Sequence, residues 1–348
     1  MALSLPFKSN PAVDRGVIPV LSIWLALVAG LAFLSPSPAQ TVPSAPTARA
    51  ADDDLVRLGE QLFQSPLFSA DESVSCRTCH IPSLGFSGDR PLAIGVAGHV
   101  SARRAPSLLG LKDAKSLMWD GRAADLRNQI AIPLESPEMA TVWPTALSRL
   151  RTDPTVSELA GRAGLASIDR GSALAALAAY VASLDAGNSR FDRYYFNQDT
   201  QALTTQEAWG LRLFIRKGRC ANCHLVDSRG APFTDNAFHR TGIGRVEGLY
   251  KDRGRAAITG DPVDEGAFKT PGLRGVALRP YLMHDGSVSS LRQAVEHYNE
   301  RITEGSPMLD ERLATLHLTG DEVDAIVAFL GTLTPENAAV APNSAAVR

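Results

Sequence analysis

The chain has 348 residues, 45% hydrophobic and 21% charged, and 35 basic side chains against 37 acidic ones give a formal net charge of −2. That length allows two domains with separate cores, and a near-neutral chain without a basic stripe excludes nucleic acid as a partner. All four cysteines fall in two short motifs, so none is spared for structural disulfides.

At the N-terminus, Lys8 and Arg15 precede an apolar run from Val17 to Leu34, followed by the small-residue site Ser37, Pro38 and Ala39. Residues 1–39 are therefore predicted to be a signal peptide that places the globular part in the periplasm. Left uncleaved, the run is long enough to serve as a membrane anchor. Cleavage removes two basic residues and one acidic residue, leaving a charge of −3. Residues 40–51, rich in Pro, Ala, Ser and Thr without periodicity, read as a flexible tether.

The first helical segment carries Gly59, Leu62 and Phe63, and Cys76, Arg77, Thr78, Cys79 and His80 follow it. Two thiols three positions apart with an adjoining imidazole suit haem c: the thiols form thioethers with the porphyrin vinyl groups and the histidine ligates iron. The second half repeats the order, with Gly210, Leu213 and Phe214 ahead of Cys220, Ala221, Asn222, Cys223 and His224. The alternatives are a four-thiolate zinc site or a pair of dithiol redox motifs, and neither needs the histidines. The basic run Arg216, Lys217 and Arg219 suits either a solvated helix end or an acidic partner.

Each half closes on a similar segment, Ala179 to Leu184 and Ala328 to Leu333. In the second, Val323, Ile326, Val327, Leu330 and Leu333 form one apolar stripe. Thr319 with Glu322, and Thr204 with Glu207, have the spacing of capping boxes. The predicted fold is mainly α: two cytochrome c-like domains, residues 52–195 and 200–335, each with one covalent haem c. Long aperiodic inserts, 81–118 and 226–286, enclose the sites, and a disordered tail covers 336–348.

Beyond the haem motifs, the chain resembles the bacterial di-haem cytochrome c peroxidases and their MauG branch over residues 55–335. The resemblance rests on Arg103, Ala105 and Pro106, on Trp119 to Ala123, on Phe233 to Asn236, on Phe268 to Pro271 with Leu273 and Arg274, and on Pro280 to Gly286. It implies that hydrogen peroxide binds at the first haem and that electrons pass to the second. Trp119, by itself an ordinary core aromatic, matches the tryptophan this family places between its haems. Gln129 matches a distal glutamine, and Glu138 resembles the distal glutamate, a base that can take peroxide's first proton and return it to the leaving oxygen. The family has one more residue before its glutamate, so Glu135 is the second candidate.

The position of a second histidine ligand in the peroxidase branch falls here on Val96, with His99 three residues further, so the first iron is expected to be open. At the second haem, the place of the branch's methionine is taken by Tyr298, the MauG-like choice, with Met283 as competitor. Arg104 stands where the family has a calcium-ligating asparagine, and a guanidinium cannot ligate calcium, so the resemblance does not carry calcium over. The implied activity is peroxide reduction with electrons from a small periplasmic redox protein or from side chains of a protein partner. The competing reading is a di-haem electron carrier without peroxide chemistry.

Overall fold

The computed structural model describes residues 48–184, 186–227, 230–300 and 309–336. The predicted signal peptide, most of the tether and the tail beyond Glu336 lie outside them. Helix Ala48–Gln64 begins inside the stretch assigned to the tether, where an alanine-rich sequence with one arginine favours helix. At the other end, Glu336 donates its backbone N–H to Asn188 O at 3.1 Å and so still belongs to the fold. Among the described residues no helix is long and apolar enough to cross a membrane.

About 45% of the described residues are helical, and the helices build two hydrophobic cores by the same device. Helix Ala48–Gln64 crosses helix Arg170–Ser183 at Gly59, where an added Cβ would lie 2.0 Å from Ala176 O. Helix Thr205–Ile215 crosses the closing helix Gly320–Gly331 at Gly210, where an added Cβ would lie 1.9 Å from Ala325 O. Only glycine lets the backbones approach this closely. The aromatic neighbours repeat as well, Phe63 with Tyr180 at 5.1 Å between ring centres and Phe214 with Phe329 at 5.2 Å. Both expected capping boxes form, Thr204 with Glu207 and Thr319 with Glu322.

One short helix changes sides. Arg190–Tyr195, counted from the sequence with the first half, buries Phe191 in the second core, where it meets Phe233 and Phe329. The reason is chain direction: Ser189 pairs with Pro335, and Phe191 N donates to Thr332 O.

The aperiodic inserts carry little regular structure. Phe238–His239 pairs antiparallel with Phe268–Lys269, and Arg245–Val246 with Leu249–Tyr250. Ion pairs tie the inserts together instead. Arg103 bridges Asp120 and Asp252, both at 2.6 Å, and Arg255 Nη1 donates to Asp120 O at 2.9 Å. Burial alone would raise the Asp120 pKa, but Arg122 and Arg103 outweigh it and hold the carboxyl below its ordinary value.

Candidate functional site

Cys76, Cys79 and His80 line a cavity of about 810 Å³ walled by Phe63, Val74, Leu108, Leu177 and Val181. Cys220, Cys223 and His224 line another, of about 200 Å³, walled by Phe214, Ile243, Val295, Ile326 and Leu330. Each histidine sets its Nδ1 against a backbone carbonyl, His80 on Phe86 O at 3.1 Å and His224 on Phe233 O at 2.9 Å. That contact fixes the ring and leaves Nε2 as the nitrogen available to a ligand. Burial pushes the Cys76 and Cys220 thiols up to about 12, the opposite of what dithiol redox chemistry requires.

The zinc alternative fails on geometry. Among the described residues, the ligand cluster tight enough for a metal is Cys223, Asp235 and His239, which contains one cysteine. Both ring nitrogens of His239 are already engaged, Nδ1 with Asp310 at 2.5 Å and Nε2 with Asp235 at 2.9 Å. Apolar cavities edged by paired thiols and an oriented imidazole fit haem c in both places.

Glu138 and Gln129 line the first cavity. Gln129 lies on helix Leu126–Glu135, buried, with no partner for its Oε1 among the described residues. Pro133 lacks the N–H that would otherwise bond the Gln129 carbonyl. Glu138 accepts hydrogen bonds from Ser101 Oγ at 3.3 Å and from Ser136 Oγ. Its backbone is clamped too: Val96 N donates to Glu138 O at 3.0 Å, and a Cβ on Gly95 would lie 2.4 Å from that oxygen. Glu135 points elsewhere, exposed and paired with Arg170 at 2.6 Å. His99 is exposed and lines neither cavity.

Trp119 lines both cavities. Its indole Nε1 donates to Arg104 O at 2.8 Å, and the Arg104 guanidinium lies 5.5 Å from the ring centre. Tyr298, on helix Leu291–Glu300, lines the second cavity, and burial holds its phenol above the ordinary value. Met283 lines that cavity as well, so geometry brings both candidates to it.

Residues 53–201 match the family model described as di-haem cytochrome c peroxidase. Over 304 residues the chain is 34% identical to the methylamine utilization protein MauG of Methylorubrum extorquens, covering 86% of this chain and 84% of that protein. The chain belongs to the di-haem cytochrome c peroxidase family. The cytochrome c551 peroxidase of Nitrosomonas europaea is 32% identical, covering 81% of this chain and 80% of that protein. A crystal structure of a MauG-like protein associated with microbial copper homeostasis superposes with a TM-score of 0.75 at 27% identity, covering 88% of this chain and 95% of that one.

As a member of this family, the di-haem peroxidase is a peroxide-dependent oxidoreductase with haem as its cofactor. Several of its polar contacts leave no trace in the sequence. Ser101 meets Glu138 across 37 positions, and Arg104 Nε donates to Met283 O at 3.0 Å across 179. No local spacing signals either contact.

Proposed function

We propose that the protein is a periplasmic c-type peroxidase of two cytochrome c-like domains, residues 52–195 and 200–335, with helix Arg190–Tyr195 lent to the second core. Cys76 and Cys79, and Cys220 and Cys223, hold two covalent haems, with His80 and His224 as iron ligands and Tyr298 as the further ligand at the second. Haem c supplies the iron that binds peroxide and the redox equivalents.

The chain's own residues do the rest. Glu138 takes the first proton from hydrogen peroxide and delivers it to the departing oxygen, while the Gln129 amide orients the bound molecule. Trp119, fixed by its bond to Arg104 O, relays electrons between the sites. The electrons come from a small periplasmic redox protein or from side chains of a protein partner. Arg104 places its charge on the Met283 and Ala105 carbonyls, in the role calcium has in relatives.

The observation that carries this reading is the unequal equipment of the cavities: Glu138 and Gln129 line the first, where no tyrosine is found among the described residues, and Tyr298 lines the second. Electron paramagnetic resonance of the ferric protein tests it. One high-spin and one low-spin centre are expected; two low-spin centres would instead indicate an electron carrier.

A further inference from the structure

A third cavity, of about 290 Å³, lies beside Trp119 and Gln129. Arg104, Lys269, Arg274 and Arg279 line it, and among the described residues no carboxylate does. Arg274 is neutralised by Asp192 at 2.7 Å. The other three cations are not. Arg104 and Arg279 donate only to backbone carbonyls, and Lys269, although Asp235 is near enough to favour its charge, has no hydrogen-bond partner for its ammonium among the described residues. Arg104 is 3% exposed and Arg279 is 7% exposed, so water does not compensate their charges.

Unpartnered polar atoms gather at the same place. Gln129 Oε1, Asn236 Oδ1 and Arg279 Nε are all buried without a hydrogen bond, and all three residues line this cavity. Either amide can turn its NH2 group inward. The wall then presents donors and positive charge on several sides.

We infer that this cavity is an oxyanion-binding site, in which Lys269, Arg279 and Arg104 hold a carboxylate or a similarly small oxyanion. Burial draws Lys269 down to about 8 and Arg279 to about 9, and a bound anion opposes both shifts. Two sources share this chemistry. Lys269 and Arg279 also line the second cavity, so a propionate of a porphyrin seated there can reach them; a free oxyanion can enter from solution. An anion beside Trp119 also favours positive charge on the indole during electron relay.

The test compares wild-type holoprotein with Lys269→Met, using Lys269→Arg as the charge-retaining control. Resonance Raman spectra read the propionate bending bands, and calorimetry with inorganic phosphate reads free-ion binding. A shift of the propionate bands in Lys269→Met but not in Lys269→Arg supports the propionate source. Saturable phosphate binding that weakens about tenfold or more in Lys269→Met, the loss of one charge-assisted contact, supports the free ion. Unchanged bands together with unchanged or absent phosphate binding overturn the proposal. If Lys269→Met does not fold, a crystal of wild-type holoprotein soaked in selenate decides: an empty cavity with the propionates elsewhere overturns it. Neither readout depends on the role given to Glu138.

Discussion

Glu138→Gln separates chemistry from structure at the first cavity. The two side chains have nearly the same shape, and Glu138 acts here as an acceptor for the Ser101 and Ser136 hydroxyls. Glutamine keeps one acceptor oxygen, and Ser136 Oγ retains an alternative in Pro133 O at 3.3 Å. One hydroxyl must turn, at a cost of about 1 kcal/mol. The lost base is a larger effect: general acid–base catalysis contributes roughly 10²–10⁴-fold, or about 2.7–5.4 kcal/mol of barrier. Stopped-flow spectroscopy with hydrogen peroxide, alongside thermal melting, should therefore show a slowed peroxide step in a protein that melts almost as before. Glu135→Gln, which breaks an exposed ion pair and keeps an amide oxygen for the Trp143 indole N–H, should leave the rate unchanged. An undiminished rate in Glu138→Gln would refute the assignment.

Gly210→Ala pushes a Cβ to within 1.9 Å of a backbone oxygen that cannot move aside alone, so the two helices must part. A loss of about 1–3 kcal/mol or more is expected in chemical denaturation, and Gly59→Ala should behave alike. Arg104→Asn removes the two hydrogen bonds that the Met283 and Ala105 carbonyls accept, which should lower the melting temperature, with added calcium restoring part of it; stoichiometric, tightly held calcium in the wild-type protein would contradict the replacement role. Asp120 has a folded pKa below its unfolded one, so its contribution is present above roughly pH 4 and is lost as pH falls through the lower, folded value. Melting temperature should be steady near neutrality and drop in acid, and Asp120→Asn should flatten that acid limb.

The parts legible in the sequence are those whose physics is local. A CxxCH motif, a capping box and a glycine one helical turn from Leu62 and Phe63 are read within a few residues, and the repeat brings the crossings at Gly59 and Gly210 into correspondence. The difference between Glu135 and Glu138 is not local. Three residues apart, one turns to Arg170 and the other to Ser101, and only the placement of distant segments separates them.

Residue patterns alone nominate the candidate haem-attachment points and the repeat of helical segments around them, because thioether chemistry and a helical face need particular residues at fixed short separations. It took the folded chain to assign Phe191 to the second core and to bring Arg104, Lys269 and Arg279 together beside Trp119. Those meetings are set by aperiodic inserts held through ion pairs and backbone carbonyls, and such contacts impose no period on the chain.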